Sequence, residues 1–298
     1  GIFRIAFQAQ ELMPDLPLYI IPVGIRYGHF FRFRSTVRVE VGDPINVSKF
    51  LAEYPEATPQ EQMNIVKDIL AKRMRASILY IPDDEHYDAT FEICATTVKS
   101  QVKQLKHQCG VQKMHNLDAH FVANNQIVGY IEGLKNREPE KAERLLTLGD
   151  EAFKLRKSKK INIESISVKY PVLSRLLKSL YVVVALPYCI PVSILTLPIK
   201  ALLWFLLPKF KDAAFHNSVR YLVNLLLWPI LMIIYSVVAY MLLPWYWALP
   251  LTLILLPAPI VAHETWRLMR LAISDIKYIF NKELQAKHAE IRKIIFNK

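Results

Sequence analysis

The sequence has 298 residues, of which 53% are apolar and 21% are charged. This composition excludes a disordered or collagen-like chain, and a mean hydropathy of +0.20 is too high for an ordinary soluble protein. The three cysteines, Cys94, Cys109 and Cys189, contain no Cys-x-x-Cys pair. They therefore predict neither a disulfide framework nor a zinc ribbon or thioredoxin-like site.

Taken in chain order, the first half predicts a mixture of helices and strands. Residues 2–13 place apolar side chains at helical spacing, and the continuous apolar run 18–25 predicts a strand buried on both faces. Residues 36–41 alternate polar and apolar, as in a half-exposed or edge strand. Helical patterns follow at about 59–80, 88–109, 121–135 and 138–157. We expect an α/β layered domain, and because two strands do not make a stable sheet, the rest of that sheet must lie elsewhere.

The formal net charge of +12 belongs to the second half of the chain. Residues 1–151 contain 18 Lys/Arg and 20 Asp/Glu, whereas residues 152–298 contain 20 and 6. The basic residues of the second half cluster around two segments without any charged side chain, 179–199 and 221–262. Such clusters are typical of loops on the cytoplasmic side of a membrane and not of a nucleic-acid surface.

The uncharged segments predict a membrane region over 161–298, ending in a basic cytoplasmic tail. A crossing needs roughly 20 apolar residues, so segment 221–262 can hold two helices, near 221–243 and 247–263, with Pro244 and interfacial aromatics between them. Segment 179–208 contains four prolines and Lys200. Either residues 179–199 form one straight span, or the segment forms a broken, re-entrant hairpin. If segments 179–208 and 221–262 each enter and leave the membrane on the same side, all basic clusters lie in the cytoplasm.

Three pieces of the N-terminal sequence resemble a known family in their order. They are Ile20-Ile21-Pro22-Val23-Gly24-Ile25-Arg26-Tyr27, Phe31-Arg32-Phe33-Arg34-Ser35 and Val39-Glu40-Val41-Gly42-Asp43-Pro44-Ile45. This order resembles the end of the glycerolipid acyltransferase domain, which occurs in 1-acylglycerol-3-phosphate and glycerol-3-phosphate acyltransferases. The resemblance implies that residues 1–50 are the C-terminal part of an α/β acyltransferase domain, with 51–160 as its helical extension and the membrane region following.

The resemblance also implies a chemistry. In the family, the His of a His-x-x-x-x-Asp motif deprotonates a substrate hydroxyl, which attacks an acyl thioester supplied by acyl-CoA or acyl carrier protein. None of the eight histidines here is followed by Asp at the fifth position. Glu132-Gly133-Leu134-Lys135 mimics the family's phosphate motif but comes after the Ile-Pro-Val strand, which is the wrong order. We therefore expect no catalytic residue in this chain, the motif being upstream of Gly1, and no cofactor besides the acyl donor.

Two sets of residues are predicted to bind ligands. The substrate-binding set follows from the family resemblance and consists of Ile21, Pro22, Val23, Arg26, Tyr27 and Arg34. Buried core, surface arginines and a packed aromatic are the alternatives for these positions. The second set is a basic run expected at an anionic membrane surface, with a solvated helix end as its alternative: Lys154, Arg156, Lys157, Lys159 and Lys160.

The leading interpretation is an integral membrane acyltransferase of phospholipid synthesis with its acyltransferase domain facing the cytoplasm, at the inner membrane if bacterial. Its partners would be membrane lipids and the acyl donor, with no nucleic acid. His115, Asp118 and His120 lack the pattern that fixes metal ligands, so no metal site is predicted. A lipid-binding acyltransferase without turnover remains an alternative. So does a non-catalytic scaffold or permease, although the two uncharged segments lack the ionisable residues usual in transporters.

Overall fold

A computed structural model describes residues 1–28, 35–108, 115–166, 171–212 and 214–296. This part of the chain is mostly helical. It divides into two compact units, one formed by Gly1–Phe153 with Lys287–Lys298 and the other by Lys154–Ala286.

The first unit begins with a helix, a two-stranded ribbon and two further helices. The elements are α1 (Ile2–Leu12), β1 (Tyr19–Ile20), β2 (Val23–Tyr27), β3 (Val37–Val41), β4 (Ile45–Asn46), α2 (Val47–Glu53) and α3 (Pro59–Ser77). β1 pairs with β4 and β2 with β3, both antiparallel, so 19–27 and 37–46 form one ribbon. Between the paired residues Ile20–Ile45 and Val23–Val41, two residues of one strand oppose three of the other, which is a bulge.

The helices α1, α2 and α3 cover one end of the ribbon. Their shared apolar core contains Phe7, Ile20, Ile45, Val47, Phe50 and Val66. The buried side chain of Gln10 fixes the turn after α1, accepting from Leu18 N and donating to the carbonyls of Met13 and Leu16, each at 2.9 Å. α3 starts with a capping box between Thr58 and Glu61, which satisfies the free N–H groups of its first turn.

Four longer helices complete the first unit or lead out of it. They are α4 (Tyr87–Gln108), α5 (Asn116–Arg137), α6 (Pro139–Ser158) and, at the end of the chain, the helix Lys282–Phe296. α6 passes close to α4 at Gly149, where a Cβ would lie 2.9 Å from the carbonyl oxygen of Ala89. From Lys287 onward the last helix belongs to the first unit, because His288 packs against Glu92 of α4.

The secondary structure of the second unit consists of helices in its described residues. After a 3-10 turn at Ile163–Ser165 it contains α7 (Pro171–Leu195), α8 (Leu197–Leu206), α9 (Ala214–Leu242), α10 (Trp245–Leu255) and α11 (Ala258–Phe280). The last helix of the chain, Lys282–Phe296, is α12. α7 and α11 run antiparallel, with Lys178 beside Asp275 at one end and Cys189 beside Ala262 at the other. The core joins α7, α8, α9, α10 and α11 through Val192, Ile199, Trp228, Met232, Leu255 and Ala258.

The prediction of hydrophobic segments long enough to span a membrane is confirmed in the second unit. Val172–Leu195 and Phe215–Leu242 are each long and apolar enough to cross a bilayer, and Trp245–Leu255 with Ala258–Phe280, bent by 52°, is a third candidate. Within 179–208 the helix breaks at Thr196, between α7 and α8. Pro187 and Pro191 lie inside α7.

The prediction for the run 18–25 is wrong in two respects. The run is not one strand, because it divides at Ile21 and Pro22 into β1 and β2. Nor is it buried on both faces, since Ile21, Val23 and Ile25 are about half exposed. One face of the ribbon packs against helices and the other does not. The described strands form only two-stranded sheets, so the α/β layered domain is not shown.

Candidate functional site

The resemblance to an acyltransferase falls on the ribbon, and the ribbon has two unlike faces. In its register, Val23 lies opposite Val41, Ile25 opposite Val39 and Tyr27 opposite Val37. Because side chains alternate along a strand, these six residues share one face, and each is between 45% and 66% exposed. The ribbon therefore presents a continuous apolar surface, which we call the open face.

The other face of the ribbon is held close to α3 and α5. Gly24 meets the end of α3, where an added Cβ would lie 2.7 Å from both Cβ and the carbonyl oxygen of Ser77. Only a glycine allows this approach. The next residue on this face is Arg26, whose side chain is 10% exposed.

Arg26 is already surrounded by interacting groups. Its guanidinium pairs with Glu40 across the ribbon, lies 3.7 Å from Asp118 at the start of α5, and sits 3.8 Å from the centre of the Phe121 ring. Arg38 adds a second cation, with Nε 3.1 Å from the same carboxylate oxygen of Asp118. Two arginines therefore face two carboxylates, and the cluster carries no net formal charge.

The predicted substrate-binding residues are divided between the two faces. Val23 and Tyr27 belong to the open face, while Arg26 lies on the opposite side. Ile21 is exposed, and the carbonyl of buried Pro22 accepts from Gly42 N at 2.8 Å. Arg34 lies outside the described residues. The apolar members could line a pocket wall together, whereas Arg26 would reach an anion only by exchanging its carboxylate partners.

The basic run at the end of α6 contains one residue with a structural role. Arg156 is 5% exposed and donates from Nη1 to the carbonyl of Ile161 at 3.2 Å. It therefore ties the end of α6 to the segment that follows it. The remaining members are exposed: Lys154, Lys157, Lys159 and Lys160. Lys160 has a left-handed backbone, with φ of 53°, which ends the helix and turns the chain.

Sequence reasoning missed the carboxylates around Arg26. Asp118 and Phe121 are separated from Arg26 by more than ninety residues, and no local pattern indicates that α5 approaches the ribbon. The three residues considered as metal ligands have other surroundings. His115 accepts a hydrogen bond from Leu117 N at 3.3 Å, and Asp118 pairs with the arginines. Burial, aided by the positive charges of Lys99 and Lys106, lowers the pKa of His120. Across the described residues, no group of three or more His, Cys, Asp or Glu side chains could hold a metal ion.

Comparison with known proteins gives one partial similarity. The chain is 37% identical over 71 residues to glycerol-3-phosphate O-acyltransferase 1 of Saccharomyces cerevisiae, an alignment covering 24% of this chain and 9% of the yeast protein. The chain therefore spans less than a tenth of the length of this relative. No protein-family model matches the chain, and no solved structure does. The similarity supports a relationship to glycerolipid acyltransferases.

Proposed function

We propose that the chain is part of a membrane-bound acyltransferase of glycerolipid synthesis. The observation that carries the proposal is the partial similarity to the yeast glycerol-3-phosphate acyltransferase. The helices of membrane-spanning length in the same chain agree with it, because long-chain acyl groups and their products reside in membranes. The reaction would move a fatty acyl group from acyl-CoA or acyl carrier protein to glycerol 3-phosphate or 1-acylglycerol 3-phosphate.

In this reaction the acceptor hydroxyl attacks the thioester carbonyl, a base takes the hydroxyl proton, and the thiol leaves as an ester forms. The 298 residues contain no His-x-x-x-x-Asp pair to act as that base. The catalytic pair would therefore come from other polypeptide of the same enzyme. The contribution of this chain would be to complete the fold and to attach it to the membrane.

The ribbon is the element proposed to complete the acyltransferase domain. Six apolar side chains on the open face are only about half buried, and an exposed apolar patch of this kind is typical of a surface that packs against another element. We propose that further elements of an α/β domain cover this face, and that Ile21, Pro22, Val23 and Tyr27 then line the pocket for the acyl chain or acceptor. Arg26 and Arg34 remain the candidates for contact with the phosphate group of the acceptor.

The membrane contribution rests on the second unit. Its apolar helices would anchor the enzyme, and Lys154, Lys157, Lys159 and Lys160 would contact anionic headgroups at the surface. Each basic residue near an anionic leaflet contributes about 1 kcal/mol to such attraction. Arg156 is excluded from this set because its guanidinium is buried. The acyltransferase domain would then act on the cytoplasmic face, where acyl-CoA and glycerol phosphates are available.

A chimera tests the proposal. The 71 aligned residues of the yeast enzyme are replaced by those of this chain, and transfer of labelled acyl groups from acyl-CoA to glycerol 3-phosphate is measured in membranes that lack other such activity. We expect an active chimera. A chimera that is present in the membrane at the normal level but transfers no acyl group would contradict the proposal and favour a non-catalytic membrane protein.

A matched pair of substitutions tests the role of the open face within the longer enzyme. Val39→Asp places a charge in the middle of the open face, whereas Met74→Asp places one on a similarly exposed apolar residue of α3. We expect the first to reduce activity at least tenfold and the second to leave it nearly unchanged. Equal activities would mean that the open face remains in water.

A further inference from the structure

Residues 221–242 of α9 and residues 245–262, in α10 and the start of α11, form a hairpin without charged side chains. No Asp, Glu, Lys or Arg occurs between 221 and 262. At 1.5 Å per residue, residues 221–242 rise about 33 Å and residues 245–262 about 27 Å. The hydrocarbon core of a bilayer is about 30 Å thick. The first leg therefore has the length of one crossing, and the second approaches that length only across the 52° bend between α10 and α11. Trp245–Trp247 at the tip are aromatics of the kind found at the interface.

The two ends of the uncharged segment are marked by Arg220, which precedes the first leg, and His263, which follows the second. Above them, Trp228 donates from Nε1 to the carbonyl of Leu256 at 3.3 Å. Trp228 is eight residues from Arg220 and Leu256 is seven residues from His263, so the two legs are antiparallel and in register. The hairpin consequently enters and leaves on one side.

The corner between α7 and α8 packs against the middle of this hairpin. Val192 and Ile199 share one apolar cluster with Trp228 and Met232, which lie halfway along the first leg. Tyr235 donates to the carbonyl of Leu195, the last residue of α7, at 2.8 Å. α7 therefore ends well short of the hairpin tip.

The chain then turns back along the first leg. α8 contacts α9, and the carbonyl of Phe210, just after α8, lies 2.9 Å from Nε2 of His216 near the start of α9. α8 leads to Lys209 and Lys211, both exposed, and then to Arg220. The return leg brings the basic loop to the side on which the hairpin begins.

Polar groups at the corner satisfy its backbone. Thr196 donates from Oγ1 to the carbonyl of Val192 at 3.0 Å, and Lys200 donates from Nζ to the carbonyl of Ser193 at 3.3 Å. Trp266 of α11 donates to the hydroxyl of Ser193 at 2.8 Å. A break in a helix is tolerated at membrane depth only where protein groups replace the missing hydrogen bonds. The Oγ1 of Thr196, at 3.2 Å, and the Nζ of Lys200 supply that replacement at the Ser193 carbonyl.

The polypeptide on both sides of the second unit gives an independent constraint. The residues up to Phe153 and those from Lys287 onward belong to the same folded unit. Two ion pairs join these parts of the chain. One is between Lys287 and Glu151, and the other is between Arg144 and Glu290 at 2.7 Å. A folded unit cannot be divided by a bilayer, so the chain crosses an even number of times. Three crossings by the three candidate spans are therefore excluded.

We propose that α7 and α8 form a re-entrant loop, and that α9 and the α10–α11 bend form the transmembrane hairpin. Of the residues that the structure describes, only 243–247 then reach the far face of the membrane. Every Lys and Arg in the described residues lies on the near face or, in the case of Lys200, inside the loop. This arrangement follows the positive-inside rule and does not depend on the proposed acyltransferase role.

Pairs of cysteines in one molecule test the arrangement without requiring a uniform orientation. In a chain with Cys94→Ala, Cys109→Ser and Cys189→Ala, Lys159→Cys is combined with either Lys211→Cys or Tyr246→Cys. After reconstitution into sealed phosphatidylcholine vesicles, a membrane-impermeant maleimide is added, and a second maleimide of different mass follows after detergent. We expect the Lys159/Lys211 pair to carry two identical tags and the Lys159/Tyr246 pair to carry one of each. The reverse pattern for either pair would overturn the proposal.

Protease protection repeats the test on the unaltered chain. Trypsin added to sealed vesicles should cut at Lys209 and Lys211 in the same molecules that it cuts at Lys157–Lys160. The protected fragment then runs into α11 from Asp212, or from Tyr221 where Arg220 is also cut. If Lys209 and Lys211 are protected in molecules cut at Lys157–Lys160, α7 crosses the whole membrane and the proposal is wrong.

Discussion

His288 and Glu92 face each other inside the first unit, with Nε2 of the imidazole 3.2 Å from Oε1 of the carboxyl group and neither side chain accessible to solvent. The two residues are 196 positions apart. Their contact joins the end of the chain to α4, and Arg292 extends it by donating to the carbonyl of Thr96 at 3.3 Å. The polypeptide after the membrane region is thereby incorporated into the unit that precedes it.

The first prediction concerns this contact. His288→Ala removes the imidazole from a buried carboxyl group, and losing one partner of a buried polar contact costs about 1–3 kcal/mol. We expect α12 to detach first, so that proteases cut near residue 287 at least tenfold faster in detergent solution. Lys293→Ala, an exposed position on the same helix, serves as the control and should change the cleavage rate less than twofold. Equal rates for both variants would show that the pair does not hold the helix.

Helices were the more predictable part of this fold. The pattern at 59–80 matches α3 (Pro59–Ser77) and that at 88–109 matches α4, because 3.6-residue periodicity is a local property. Which helix covers which face depends on contacts between distant residues. Nothing near Gly24 predicts that Ser77 lies against it, and nothing near Arg26 predicts Asp118.

The same limit applies to the candidate site. Ile21 to Tyr27 were selected because their order resembles a family motif, and that order carries no information on how the side chains divide between the two faces of the ribbon. The division required the pairing of β2 with β3. The basic residues around Arg156 predicted that its side chain is exposed. The left-handed turn at Lys160 instead brings the Ile161 carbonyl to the Arg156 guanidinium, which donates to it.

The second prediction concerns the contact between the ribbon and α3. Gly24→Ala places a methyl group 2.7 Å from Ser77, so backbone must move, and overpacking of this kind costs about 1–3 kcal/mol. Gly129→Ala is the matched control, because its Cβ would meet no atom within 4 Å and alanine favours a helix by up to about 1 kcal/mol. Thermal unfolding in detergent should therefore give a lower midpoint for the first variant and an equal or higher midpoint for the second. A midpoint for Gly24→Ala at or above that of the unaltered chain would contradict the placement of α3.

The third prediction concerns Arg26. Arg26→Met keeps most of the side-chain volume but leaves Glu40 and Asp118 without this guanidinium. Removing one partner of a fully buried ion pair costs about 3–5 kcal/mol, and because the Glu40 side chain is 42% exposed, we expect a smaller loss of about 2 kcal/mol. Arg4→Met on the exposed side of α1 should change the unfolding free energy by less than about 0.5 kcal/mol. No difference between the variants in urea unfolding would mean that the cluster contributes nothing to stability.

The fourth prediction concerns cysteine reactivity. Burial raises the pKa of the Cys94 thiol to about 12, so at pH 8 only about one molecule in ten thousand carries the reactive thiolate. An exposed thiol with a pKa near 8.5 is ionised in about a quarter of molecules at that pH. We expect alkylation of Cys94 in the folded chain to be at least about a thousandfold slower than after denaturation in detergent and urea, as measured by mass spectrometry of the peptide containing residue 94. Rapid alkylation under native conditions would show that α4 does not bury this residue.

The last prediction concerns the pH dependence of the first unit. Burial, together with the positive charges of Lys99 and Lys106, lowers the pKa of His120 below its usual value near 6.5. The folded state therefore favours the neutral imidazole, while the unfolded chain takes up a proton at higher pH. Stability is then complete above pH 6.5 and is lost as the pH falls from 6.5 toward the lower pKa of the folded state. His120→Gln should flatten the pH dependence of the unfolding midpoint between pH 7 and 5 relative to the unaltered chain. An unchanged slope in His120→Gln would place the titrating group elsewhere.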